Sequence, residues 1–143
     1  MKIYILAVGK MRGADAELCG EYAKRMKGGV VIKEITTSMQ KTEAASLLKS
    51  IPANAFAILC DERGKDLSSM ELAARLAAWQ QRSNEIAFII GGADGVTDEV
   101  RARADYILGF GCKTWPHRLA RVMLLEQLYR AQQINAGQPY HRE

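Results

Sequence analysis

The sequence predicts an α/β fold: a mostly parallel sheet with helices covering both faces. Three observations predict it. Short apolar runs alternate with segments of helical period along the 143 residues. Strands joined by helices demand crossover connections rather than hairpins. The runs at 55–60 and 86–90 are apolar throughout, as strands covered on both faces are. Apolar residues make up 48% of the chain and charged residues 25%, which suffices to bury a core and excludes a disordered chain. The length suits one domain, residues 1–143, with no linker or internal repeat.

Taken in order, Ile3 to Val8 reads as the first strand and residues 14–27 as a helix with Leu18, Tyr22 and Met26 on one face. Val30, Val31 and Ile32 with Ile35 make the second strand. Thr42 is placed to cap a short helix carrying Leu47, Leu48 and Ile51, which Pro52 stops. A third strand at 55–60 runs into a polar turn from Asp61 to Asp66. Ser68 opens the next helix with a full capping box: its hydroxyl can accept from the Glu71 amide, the Glu71 carboxylate can reach back, and Leu67 can staple against Leu72. That helix reaches about Gln81. Residues 86–90 form the most apolar strand. A glycine turn, a helix from Thr97, a short strand at 106–108 and a last helix from about Leu119 to Ala136 follow.

In the last helix Val122, Met123, Leu124 and Leu125 are consecutive, with Leu128, Tyr129, Ala131 and Ile134 beyond them. That arc is too wide for one buried face. Either the helix is central to the core or its second side meets a symmetric partner.

No apolar run approaches the roughly 18 residues of a membrane span. The first nine residues lack a basic leader and a small-residue cleavage site, so a cytoplasmic protein is expected. Cys19, Cys60 and Cys112 are odd in number and far apart, and with His117 and His141 they make no CxxC or HExxH spacing. Neither a disulfide nor a metal is expected. The net charge of +4 is uneven, with nine Lys/Arg against five Asp/Glu in residues 1–50, six against nine in 51–111, and five against two in 112–143. Such a split can guide a polyanion toward one face, although solvated helix faces produce similar counts.

In parallel α/β sheets, ligands sit beyond the carboxyl ends of the strands. That rule selects Asp61–Lys65, Gly91–Gly95 and Phe110–His117. One such loop is an ordinary turn; three together suit a nucleoside gripped by main-chain groups, because glycine lets backbone approach a ligand closely. A side chain added at Gly91 is expected to fill that space. The first strand ends in Val8-Gly9-Lys10-Met11-Arg12-Gly13, which is neither GxGxxG nor GxxxxGK[ST] and disfavours a dinucleotide or nucleoside triphosphate there. After Gly137 comes Gln138-Pro139-Tyr140-His141-Arg142-Glu143, dense in functional side chains where frayed ends usually carry polar filler.

Leu59-Cys60-Asp61 with Gly64-Lys65, Ile89-Ile90-Gly91-Gly92 with Gly95, Thr114-Trp115-Pro116-His117, Arg121, Glu126-Gln127-Leu128-Tyr129-Arg130-Ala131 and Pro139-Tyr140-His141-Arg142 together resemble one known family. It is the bacterial ribosomal large-subunit pseudouridine N(3)-methyltransferases, within the SPOUT or α/β-knot methyltransferases. The resemblance covers essentially the whole chain. It implies a C-terminal deep trefoil knot, which the general rule against knotted chains would exclude. It also implies a homodimer and an S-adenosylmethionine pocket lined by Cys60, Gly91, Phe110, Gly111, Cys112, Lys113, Thr114 and Trp115.

Family members often carry Ser where Gly111 stands and an apolar residue where Lys113 stands. The Lys113 ammonium is therefore expected outside the pocket with its stem along it, since a sulfonium repels it. The implied reaction methylates N3 of a pseudouridine in 23S ribosomal RNA, probed best on assembled ribosomes, with residues 137–143 as a functional tail. There His141 serves as general base or orients the base edge, Tyr140 stacks on a base and Arg142 holds phosphate. Three other readings are a SPOUT enzyme acting on transfer RNA, a flavodoxin-like nucleotide binder, and a noncatalytic RNA-binding assembly factor.

Overall fold

The computed structural model describes residues 1–36 and 39–142, with the side chain of residue 40 also outside the description. Among the described residues five strands, β1 (Lys2–Val8), β2 (Val30–Ile35), β3 (Phe56–Asp66), β4 (Glu85–Ile90) and β5 (Tyr106–Gly109), alternate with five helices. These are α1 (Gly13–Arg25), α2 (Gln40–Ser50), α3 (Ser69–Arg82), α4 (Asp98–Arg103) and α5 (His117–Asn135). The sheet order is β2-β1-β4-β3-β5, and every pairing between these strands is parallel. The parallel sheet is the one that strand–helix alternation predicts.

The sheet divides two cores. On one face Ile3, Ile5, Phe88, Ile58, Leu76, Leu124 and Leu128 pack under α1, α3 and α5. On the other, Leu6, Leu59 and Ile89 pack with Leu47 of α2 and Val100 of α4. Residues of the central strands thus alternate between two buried faces, so the whole strand reads as apolar. Leu76, Leu124 and Leu128 are fully enclosed, each contributing about 1.5–3 kcal/mol of burial.

Helix α3 begins as its capping box demands: the Glu71 amide donates to the Ser68 hydroxyl at 3.1 Å and the Ser68 amide donates to the Glu71 carboxylate at 2.9 Å. Thr97 likewise caps α4. Thr42 does not cap α2; the helix starts three residues earlier, with Met39 at the cap position and no side-chain hydrogen bond. In α1 the core residue is Cys19, while Leu18 is 39% exposed, Tyr22 is half-buried and Met26 seals the C-terminal end. The expected stripe is rotated by about one residue because α1 leans on α5 as well as on the sheet.

The largest departure is at 61–66. The expected polar turn is an extension of β3: Leu108 of β5 lies opposite Cys60 and again opposite Lys65, with residues 61–64 arched between. At the arch Gly64 meets β5 backbone to backbone. A Cβ built on Gly64 would lie 2.5 Å from the Leu108 carbonyl carbon, and one on Gly109 would lie 2.7 Å from the Gly64 oxygen. Two chain segments touch here because neither carries a side chain. Among the described residues, no helix is long and apolar enough to cross a membrane.

Candidate functional site

Beyond the carboxyl ends of β3, β4 and β5 lies an open cavity of about 860 Å³. Its walls are the arch at Cys60–Arg63, the turn Gly91–Val96, and the segment from Phe110 through His117 that enters α5, with Arg101 of α4 added. These are the three segments that the strand-end rule selects. The volume suits a nucleoside-sized ligand.

The turn after β4 closes on itself, with the Gly95 amide donating to the Gly92 carbonyl at 3.0 Å and Gly95 at φ +75°. Gly91 is confined by this turn. A Cβ on it would come 2.7 Å from Val96 Cγ1, so the first obstacle to a side chain is Val96 rather than the ligand's space.

Polar contacts clip the walls together. Arg101 donates to Asp61 at 2.5 Å, and the Arg63 amide donates to the other carboxylate oxygen at 2.9 Å. Burial works to raise the Asp61 carboxyl, but the Arg63 amide and the Arg101 guanidinium outweigh it and hold the group below the usual carboxylate range. The Thr114 hydroxyl donates to Glu62, tying the last wall to the arch. The Trp115 indole N–H donates to the Phe110 carbonyl at 3.0 Å. Burial, with the negative charge of Asp61 adding to it, pushes the Cys60 thiol up to about 12, so it stands in the wall as a neutral group.

Behind the cavity, Arg121 is 3% exposed. It pairs with Glu34 at 2.6 Å and donates to the Gly9 carbonyl at 3.0 Å, while Glu34 also accepts from the Met11 amide at 2.8 Å. Desolvation pulls the Glu34 carboxyl upward, but Arg121, the Met11 amide and Lys10 bring it below its ordinary value. The pair fastens the loop after β1 to the first turns of α5. His117 lies close by, its Nε2 3.5 Å from where a Gly9 Cβ would be.

The tail folds back on α5 away from this cavity. Tyr140 donates to Glu126 at 2.8 Å, and its ring meets Tyr129 edge-on at 4.8 Å between centroids. Arg130 holds Glu126 at 2.7 Å, lies 4.7 Å over the Tyr140 ring and contacts His141 Nδ1 at 3.1 Å. Burial first, then the Glu126 carboxylate, drives the Tyr140 phenol well above its ordinary value. A second groove, about 470 Å³ and lined by Leu67, Leu72, Phe110, Val122, Met123 and Glu126, joins the tail's anchor to the back of the Phe110 wall.

Of the residues selected from sequence, Cys60, Gly91, Phe110, Lys113, Thr114 and Trp115 line the cavity. Gly111 and Cys112 belong to the same segment without lining it, and Gly111 makes its bend at φ +89°. Lys113 is exposed. Tyr140 and His141 are brought together on α5, Arg142 is exposed, and position 143 of the tail lies outside the described residues. Sequence reasoning missed Arg101. It is a cation inside a short helix, and its pairing with Asp61 spans 40 positions.

The family described as "Predicted SPOUT methyltransferase" matches residues 1–141. The chain belongs to the SPOUT methyltransferases. Within that family it is 46% identical over 151 residues to the "Ribosomal RNA large subunit methyltransferase H" of Rhodospirillum centenum, covering 99% of each chain. Among solved structures, a "probable methylase family protein" from Haemophilus influenzae Rd KW20 superposes with a TM-score of 0.62 at 14% identity, over 99% of this chain and 70% of that one. A methyltransferase from Legionella pneumophila, solved with the bound cofactor SAM, gives 0.53 at 13% identity, over 92% and 66%. At these identities the two structures speak for the SPOUT fold alone, and for the parallel sheet whose strand ends carry the cavity.

Proposed function

We propose that this chain transfers the methyl group of S-adenosylmethionine to large-subunit ribosomal RNA, at N3 of a pseudouridine in the 23S molecule. The observation that carries the reading is the full-length likeness, at 46% identity, to a ribosomal RNA large subunit methyltransferase. The cavity supports it, being large enough for a nucleoside and walled by the neutral Cys60 thiol and glycine-bearing turns. Cys60, Gly91 and the stretch Phe110, Gly111, Cys112, Lys113, Thr114 and Trp115 are the proposed cofactor residues, Trp115 through its main chain and not through its indole. When bound, S-adenosylmethionine supplies an electrophilic methyl carbon. The close backbone contact of the arch with β5 at Gly64 and Gly109 is compatible with the trefoil knot that the family's fold implies.

His141 is the proposed catalytic residue, with Tyr140 and Arg142 on the RNA. A guanidinium only donates, so the contact between Arg130 and His141 requires Nδ1 to accept and puts the ring hydrogen on Nε2. On the proposed reading His141 acts as general base on the imide proton or orients the base edge once the tail meets the RNA. The tail's anchors on α5, Glu126 to Arg130, lie nine to thirteen residues beyond His117 at the cavity wall, roughly 13–20 Å along the helix axis. A tail pinned there is poorly placed for its own cavity, which supports a homodimer in which each tail serves the partner's site. Positioning the imide nitrogen against the methyl donor accounts for much of the expected rate.

The test is methyl transfer to ribosomes from a strain lacking the endogenous enzyme, followed by nucleoside analysis. N3-methylpseudouridine in 23S RNA is the expected product. No transfer, together with no calorimetric heat for S-adenosylmethionine or its demethylated product, overturns the reading.

A further inference from the structure

We infer that the Trp115 side chain is a stacking platform for an unpaired RNA base beside the target nucleotide, and so a specificity-determining residue of the substrate rather than part of the cofactor's grip. The inference rests on the methyl-transfer reading above.

Trp115 borders the cavity yet is 41% exposed, whereas the other tryptophan, Trp79, is 3% exposed and packed among Phe56, Phe88 and Tyr106. A large aromatic face open to solvent at the edge of a cavity is available for stacking by a ligand. Its orientation is fixed, because the indole N–H is committed to the Phe110 carbonyl at 3.0 Å. The polar edge is satisfied and the ring is held in place, so a base stacking on it costs little further side-chain entropy.

The surroundings are cationic and face solvent. Lys113 and Arg118 flank the ring in sequence and are exposed. The loop carrying exposed Lys10 and Arg12 lies alongside, since Gly9 abuts His117 and Arg118 pairs with Asp15 at 3.6 Å. Arg63, with 74% of its side chain exposed, stands on the opposite wall. Of the nearby acids, Asp94 lines the same cavity, while Glu62 is engaged by Thr114, Asp61 by Arg101, and Asp15 by Arg118. An aromatic face among cations is the arrangement that binds single-stranded nucleic acid. Tyr140, the aromatic selected from sequence for this role, has its ring covered by Tyr129 and Arg130 in this structure.

The experiment compares the full-length protein with Trp115→Ala, Trp115→Phe and Trp115→Leu, each checked for an unchanged melting temperature. Steady-state methyl transfer to unmethylated ribosomes gives KM and kcat, and calorimetry gives the affinity for S-adenosylhomocysteine. The expected result is a rise of about 5- to 100-fold in ribosome KM for the alanine and leucine variants. Phenylalanine recovers most of the loss, and all three bind S-adenosylhomocysteine within about twofold of wild type. Leucine keeps bulk without a π-face, so it carries the test should alanine loosen the loop. An unchanged ribosome KM in both variants overturns the inference, as does a parallel loss of S-adenosylhomocysteine affinity that phenylalanine restores. Absence of transfer by the wild-type protein instead sinks the parent reading, and this one with it.

Discussion

Cys60 and Cys112 stand close to one cavity in opposite situations. Burial keeps the Cys60 thiol protonated, up to about 12, and Cys19 is shifted the same way, first by its own burial. Cys112 is exposed. Thiolate is the reacting form, so alkylation with iodoacetamide at pH 8 should label Cys112 at least ten times faster than Cys60 or Cys19, read by mass spectrometry of the peptides. Fast labelling of Cys60 would contradict its place in the wall. Gly91 was legible in the sequence as a glycine at a strand end, but its reason was not: the turn brings Val96 back against it, and no spacing rule announces that return. Gly91→Ala should therefore weaken S-adenosylhomocysteine binding about tenfold or more with only a small fall in melting temperature. Adding Val96→Ala should recover part of the loss, whereas an obstruction in the ligand's own space would gain nothing from it. Trp115 was visible from the start as a residue of the third loop; its exposure, which reassigns it, was not.

At the scale of elements, most of what the chain writes locally is legible, the start of α2 at Met39 instead of Thr42 being the exception. Helix α3 is the clearest case, since Ser68, Glu71, Leu67 and Leu72 all act within one turn. Ser68→Ala removes the hydroxyl that the Glu71 amide uses, and should cost about 1 kcal/mol in urea denaturation with the same m-value. The misreadings came where a distant element decides. The arch at 61–64 reads as a polar turn because its partner, β5, lies more than 40 residues on; Leu18 reads as part of a buried face because the helical period cannot announce that α1 also leans on α5. The tail behaves similarly: Tyr140 and His141 suggested chemistry by composition, but their anchors Glu126, Tyr129 and Arg130 come into view only once α5 and the tail are folded together. Deleting residues 140–143 should leave S-adenosylhomocysteine affinity within about twofold and abolish methyl transfer. Retained transfer at the wild-type rate would remove the tail from the reaction.

For the whole molecule, two lowered carboxylates join remote parts: Glu34 ties β2 to α5 through Arg121, and Asp61 ties β3 to α4 through Arg101. A carboxyl whose folded-state pKa lies below its unfolded value contributes stability that is complete above the unfolded value and is lost as pH falls through the folded one. The ordinary values are 4.5 for Glu34 and 3.8 for Asp61. Unfolding free energy should thus be flat from pH 7 to about pH 5 and fall below that. Glu34→Gln should be less stable at pH 7 and show a shallower acid limb, measured by urea titration at each pH; equal slopes would remove Glu34 from the linkage. The contact of Gly64 with Gly109 belongs to this scale too, and has a consequence for biogenesis. Everything before residue 106 can form a sheet, but the third wall, the clasp on Arg121's neighbours and the strand that fills the arch are all synthesised afterwards. A nascent chain still held by its C-terminus therefore presents only part of the cavity, and on the proposed reading competence for the methyl donor arrives late, once those final segments have been made.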